Sequence, residues 1–225
     1  MMAGVSTSAG PEAHPAATAI VVRSTDDGFE VLLLRRSDVG AFAGLWVFPG
    51  GRVDDGDPGE DELGRAASAA VREVGEEVGI TVDAGRMTVW SHWTPPAIAP
   101  KRFATWFFVA PFDDDADVLV DGHEILEHRW LRPAEALAAG LPMAPPTIVT
   151  LHELAAAGSL AQLAQRGDPP AYLTRAAQTA DGTAVLLWAG DAGYESGDPD
   201  LAGPRNRLWM FDGLSGSTNR YERSG

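Results

Sequence analysis

Apolar positions fall in short runs along most of this chain and in one helical arc near its middle. Ala17–Val22 and Phe29–Arg35 are aliphatic and β-branched runs separated by Ser-Thr-Asp-Asp-Gly, which predicts a β-hairpin. Leu45–Phe48 reads as a short strand stopped by Pro49. At about 100° per residue, Leu63, Ala67, Ala70, Val71, Val74 and Val78 share one arc, predicting an amphipathic helix from about Leu63 to Val78. Gly79 follows where a left-handed closing residue is wanted. Met87–His92, Arg102–Ala110 and Ile125–Leu131 are further strands. Pro95, Pro96 and Pro100 exclude regular structure between the first two. Pro133–Ala139 begins a helix at its favoured proline, and Thr147–Ala157 predicts another. Strands on both sides of a central helix, with helices late, imply an α+β fold with a mixed sheet.

The last fifty-odd residues differ. Gln165–Ala171 suits a connector, and Thr183–Trp188, Arg207–Phe211 and Asn219–Arg223 read as strands. About 55 residues without cysteine would be marginal alone. The expectation is a β-rich extension over 161–225, packed on the main domain of 17–160 or on a second subunit of a homodimer. Residues 1–16, rich in Ala, Ser, Gly and Pro, read as a disordered tail.

Charge narrows the partners. With 17 Lys and Arg against 32 Asp and Glu, the formal net charge is −15. That excludes a nucleic-acid backbone, which needs clustered cations. It leaves a polyphosphate open, since a divalent cation bridges two anions. The absence of cysteine removes disulfides, thiolate metal sites and cysteine nucleophiles. No apolar stretch approaches membrane-spanning length, and no secretion signal is evident, so a cytoplasmic location is expected.

The most informative string is Arg72-Glu73-Val74-Gly75-Glu76-Glu77-Val78-Gly79-Ile80. Glu73, Glu76 and Glu77 share an arc beside the apolar one, so one face packs while the next presents acids. Like charges at this spacing repel, and a hard divalent cation bound through oxygen would offset them. Three glutamates alone would read as a solvated face. The flanks change that: Phe48-Pro49-Gly50-Gly51 stands upstream and Gly79 downstream. The string from Gly50 to Ile80 resembles the Nudix box, a loop–helix–loop motif for diphosphate hydrolysis. The resemblance implies an α/β/α sandwich over roughly 17–157. It also implies Mg²⁺ or Mn²⁺ held by Glu73, Glu76, Glu77 and the Gly50 carbonyl. Glu77 and Glu73 would be the direct ligands, and Arg72 a structural partner of Glu76.

The box departs from its usual form. The glutamate expected eight residues before Arg72 is Gly64, and the Arg52–Glu62 loop carries an insertion. Either Glu60 or Glu62 replaces the missing acid, or its place is empty. The longer loop resembles the branch that includes coenzyme A diphosphatases, implying coenzyme A or acyl-coenzyme A as substrate. The alternatives are an ADP-ribose or NADH diphosphatase, a housecleaning nucleotide hydrolase, and a non-catalytic ligand sensor. Glu124 falls where the family's loop base is expected, with Glu127 as runner-up and His123 and His128 as further candidates. Arg35 and Arg36, and Lys101 and Arg102, are candidate phosphate grips. Trp46, Trp106 and Trp130 lie inside apolar runs and read as core anchors.

Overall fold

A computed structural model describes residues 12–40, 42–114, 116–164, 167–213 and 217–225. The hairpin forms as predicted but longer: β1 spans His14–Thr25 and β2 Gly28–Arg36, antiparallel through Val22–Val31 to Thr25–Gly28. β1 also runs parallel to β6 (Phe103–Pro111) along nine residues from His14 to Val22. That pairing draws residues 14–16 into the sheet, so the N-terminal tail ends sooner than residue 16. Residues 1–11 of that tail lie outside the described residues.

Short strands β3 (Trp46–Val47) and β4 (Gly50–Arg52) flank Pro49. The predicted Leu45–Phe48 strand therefore shrinks to two residues, because Pro49 has no N–H to continue a ladder. β4 pairs antiparallel with Ala16–Thr18 of β1, which fixes the Gly-Gly turn on the sheet. Six of the eight strands of the main sheet lie in the order β3-β2-β1-β6-β5-β8, and the other two pair with β1 and β2 off that path. β5 is Thr88–Thr94, β7 (Ile125–Leu131) pairs with β2, and β8 is Ala171–Leu173.

Helix α1, Glu62–Val78, covers one face. Asp61 caps its start by accepting from the Gly64 N–H at 2.7 Å, and Gly79 ends it at φ 69° with an N–H bond to the Gly75 carbonyl. Alternate residues of β1 and β2 divide between two cores. Ala17, Ala19, Val21, Leu32 and Leu34 pack with Ala66, Ala69, Ala70, Val74 and Val78 of α1. Ile20, Val22, Val31 and Leu33 pack on the other side with α2 (Pro133–Ala138), α3 (Pro145–Ala157) and α4 (Leu160–Ala164). The period of two along each strand produces this sandwich.

The C-terminal extension forms a second, four-stranded antiparallel sheet, ordered β12-β11-β10-β9. Its strands are β9 (Arg175–Gln178), β10 (Ala184–Leu187), β11 (Arg205–Met210) and β12 (Arg220–Ser224). It is not separate from the sandwich. Trp188, Leu208 and Met210 join the core of the α2–α3 face. Part of the predicted connector becomes β8, which pairs parallel with β5; residues 165–166 lie outside the described residues. Tyr172 stacks on Trp93 at 3.9 Å and Trp188 meets Trp93 edge-on at 5.6 Å, so aromatic packing joins the two sheets.

Two tryptophans correct the expectation. Trp46 is buried, but Trp106 and Trp130 are only partly so. Trp106 donates its indole N–H to Glu62 at 2.9 Å, and Arg23 lies over the Trp130 ring at 4.3 Å.

The extension holds a buried ion pair. Arg207 donates to both Asp191 carboxylate oxygens, at 2.7 and 2.6 Å, and to the Pro199 carbonyl. Burial raises the cost of the Asp191 charge, but Arg207 and the N–H groups of Asn206 and Gly193 outweigh it, and its pKa lies below the ordinary carboxylate value. Its contribution is therefore present at neutral pH and lost as pH falls through that depressed value. Asp191→Ala strands the Arg207 charge and should cost about 3–5 kcal/mol, roughly 10 °C in Tm. Thermal melts at neutral pH check this. A loss of only a degree or two would mean that the pair does not hold the extension together.

Candidate active site

The site is built where β4 meets the C-terminal half of α1. A Cβ on Gly51 would lie 2.3 Å from a Glu73 carboxylate oxygen, and one on Gly50 2.4 Å from the Ala17 carbonyl. Only glycine permits both approaches. The Gly50 N–H donates to Glu77 at 3.0 Å. Glu77 is thereby buried at 3% exposure, at the helix end where the dipole disfavours an anion and where no basic residue stands in the last turn.

Arg72 spreads across the acid face. Its Nε and Nη2 donate to Asp57 at 2.9 and 3.2 Å, its Nη1 to Glu73 at 2.8 Å and Glu76 at 3.0 Å, and its Nη2 also to the Arg52 carbonyl at 2.9 Å. The predicted Arg72–Glu76 pair is present, within a larger network. Glu73 is half-buried, whereas Glu76 is 62% exposed at its side chain.

Arg72 pairs with neither Glu60 nor Glu62 among the described residues. Glu62 accepts from Trp106, and the carboxylate opposite Arg72 is Asp57. Five residues separate Asp57 from Gly51, the glycine-to-acid spacing of the usual box, and a count back from Arg72 misses it because the insertion lies between Asp57 and Arg72. A second local signal is the Asp-x-x-Asp spacing from Asp54, a turn pattern in which the Asp57 carboxylate accepts the Asp54 N–H at 2.7 Å.

Arg36 arrives from β2. The pairing of β2 with β7 shifts register between Arg35 and Arg36, and such an irregularity re-aims a side chain. Arg36 pairs with Glu124 and stands 3.6 Å from Glu77. Glu124 is presented by a loop tied at both ends. Asp121 accepts the N–H groups of His123, Glu124 and Ile125 at 2.7–3.0 Å, and the Asp121 N–H reaches the Glu77 carbonyl.

The structure thus brings Gly50, Arg72, Glu73, Glu76, Glu77, Arg36 and Glu124 together. The other predicted residues have different uses. Glu127 pairs with Arg129, and Arg35 with Asp38. Arg102 donates to the Pro95 carbonyl, and Lys101 sits over the Phe103 ring. His128 lines a cavity of about 500 Å³ with Arg23, Phe112, Asp117 and Trp130, to which no residue of the acid cluster contributes.

Among the described residues, no three His, Cys, Asp or Glu side chains converge as a metal cage. Glu73 and Glu76 are turned onto Arg72, and Glu77 onto the Gly50 N–H. The donor set is nonetheless all oxygen, the chemistry of hard divalent cations. Its charge is also unbalanced. Burial pushes the Glu77 carboxyl up to about 8, and Glu73 and Glu124 add to the rise, against the Gly50 N–H and Arg36. Glu73 is raised as well, chiefly by burial. A further cation fits a site where two arginines, Arg36 and Arg72, are shared among Glu73, Glu76, Glu77 and Glu124.

The NUDIX domain family model matches residues 13–151. The chain belongs to the Nudix family. The match runs from β1 to α3, and the second sheet lies beyond it. A curated relative from Caenorhabditis elegans, "Putative nudix hydrolase 7", is 27% identical over 164 residues, 55% of each chain, so this Nudix chain spans about half of that relative's length. The crystal structure of a NUDIX hydrolase from Alicyclobacillus acidocaldarius is 22% identical, with TM-score 0.62 over 69% of this chain and 96% of that one. The NUDIX domain of Shewanella oneidensis NrtR, solved with ADP-ribose, is 17% identical, with TM-score 0.51 over 66% and 90%. These two establish the Nudix fold.

The raised Glu77 pKa has a thermodynamic consequence. Between its ordinary value of 4.5 and about 8, the folded state binds more protons than the unfolded. Stability therefore falls as pH rises through that window. With chelator present, Tm should fall more steeply with rising pH in the wild type than in Glu77→Gln. Parallel slopes would mean that Glu77 ionises freely in the folded protein.

Proposed function

We propose that this chain hydrolyses the diphosphate linkage of a nucleoside diphosphate derivative, using Mg²⁺ or Mn²⁺. The observation that carries this reading is the burial of Glu77 against the Gly-Gly turn, with its carboxyl raised to about 8 beside Glu73. Asp191 is closed by a two-point ion pair to Arg207, whereas Glu77 stands 3.6 Å from an Arg36 that also pairs with Glu124.

Glu73 and Glu77, with Glu76 and the Gly50 carbonyl, would hold the divalent ion. Bound there, it supplies charge neutralisation for the diphosphate and acidification of water. Arg36 reaches from β2 toward the same oxygens and orients Glu124. Glu124 takes the proton of the attacking water as its oxygen bonds to phosphorus, and the bridging P–O bond breaks with the electron pair leaving on the departing phosphate. Arg72 keeps Glu73 and Glu76 facing outward from the helix.

Within that class, the extended loop of the box supports coenzyme A or acyl-coenzyme A as substrate. Among the four basic residues proposed as phosphate grips, Arg36 alone is at the acid cluster. An ADP-ribose or NADH diphosphatase is therefore the second reading.

A hydrolysis screen with Mg²⁺ over coenzyme A, dephospho-coenzyme A, ADP-ribose, NADH and nucleoside triphosphates tests both levels. Cation-dependent cleavage of a linked diphosphate is expected, with kcat/KM for coenzyme A above that for dephospho-coenzyme A. ADP-ribose turning over faster than either would replace the coenzyme A reading, and no turnover of any compound would defeat the hydrolase reading. Glu124→Gln should lower kcat about a hundredfold with little change in Mn²⁺ affinity. An equal loss in both would make Glu124 a metal ligand rather than the base.

A further inference from the structure

The strand that follows the Glu124 loop lies at an edge of the main sheet. Among the described residues, β7 pairs with β2 alone. The backbone of β2 decides what β7 leaves over. The Arg36 N–H goes to the Leu45 carbonyl, on the β3 side, and the Ser37 N–H goes to the Glu124 carbonyl, on the β7 side. Successive N–H groups of a strand point to opposite edges, so Leu33 and Arg35 bond across to their partners Arg129 and Glu127. His128, between those two, therefore turns its N–H and C=O to the open edge, as does Trp130. Such a row of backbone groups is a template for a further strand.

The side chains along that edge are self-complementary. Glu127 stands on one side of His128 and Arg129 on the other. Both are partly exposed, and they pair with each other within the strand at 2.8 Å. Charges on an edge strand ordinarily keep other strands away. Here their order does the reverse for one partner. A second copy laid antiparallel, with the twofold axis through His128, sets each Glu127 opposite the Arg129 of the other copy. The same register sets the exposed Leu126 opposite the half-buried Trp130. A parallel copy in register would place Glu127 against Glu127. Opposite charges directly across a ladder stabilise it and like charges destabilise it, so the antiparallel arrangement is the one selected.

We propose that β7 is a self-association edge: two copies of this chain pair antiparallel through it and extend the main sheet across a twofold axis centred on His128. The two His128 residues exchange backbone hydrogen bonds, and the Glu127–Arg129 ion pair occurs twice by symmetry. The register shift between Arg35 and Arg36 makes the Leu126 end of β7 irregular, which keeps the ladder short. A short ladder gives a small interface, so the dimer is concentration-dependent rather than permanent. Association needs neither substrate nor metal, and it stands whether or not the chain is a hydrolase.

Sedimentation velocity over a range of protein concentrations tests this. The wild type should pass from monomer to dimer as concentration rises. Glu127→Arg and Arg129→Glu each set like charges opposite one another at both symmetry-related positions, and each should weaken the dimer on the order of tenfold or more. Mixing the two variants should restore it, because one then offers two arginines on its edge and the other two glutamates. Restoration on mixing also excludes misfolding as the cause of the single-variant loss, even though Arg129→Glu gives up its place over the Trp46 ring at 4.7 Å. A wild type that stays monomeric at every concentration would overturn the proposal. So would a dimer that neither variant weakens, or two weakened variants that do not associate with each other when mixed.

Discussion

One carboxylate, Glu77, is buried at the unfavourable end of a helix, and the local structure is arranged around its charge. Gly50 lets β4 lie against β1 and turn its N–H to Glu77, and Gly51 leaves room for the neighbouring Glu73. A register shift in the β2–β7 pairing sends Arg36 toward it, and the Asp121 turn ties the Glu124 loop to its backbone carbonyl. These elements come from four distant parts of the chain, and each is otherwise a defect: a glycine in a strand, an irregular ladder, acids at a helix C-terminus. Such local conflicts recur where a site is built at the expense of stability.

Three of the fold's ion-paired arginines, Arg207, Arg72 and Arg36, show the contrast. Arg207 and Asp191 neutralise one another within the second sheet, and the Asp191 pKa falls. Arg72 likewise holds Asp57, whose pKa is lowered first by that hydrogen bond. At Glu77 the nearest guanidinium is 3.6 Å away and shared with Glu124, so the balance is not closed. The difference between closed and open charge separates scaffold from candidate chemistry here.

Much of this was legible in the sequence, and the exceptions have physical reasons. The α1 helix followed from its two arcs, and Ile125–Leu131 formed within the predicted bounds, because both depend on local periodicity. β8 was not foreseen, since three residues beside two prolines carry no period; only pairing with β5 makes them a strand. Asp57 is missed by counting back from Arg72 across the insertion, although the five-residue gap after Gly51 reaches it. Arg35, Lys101 and Arg102 looked equivalent to Arg36 as basic pairs. What separates them is the direction in which each side chain points, and an irregular ladder decides that for Arg36.

In the proposed function the acid face of α1 and the Gly-Gly turn form a cation site. Anomalous scattering from crystals grown with Mn²⁺ tests it most directly. A peak is expected within coordination distance of the Glu77 and Glu73 carboxylates beside Gly50, lost in Glu77→Gln crystals. A peak elsewhere on the protein, or none at saturating Mn²⁺, would contradict it.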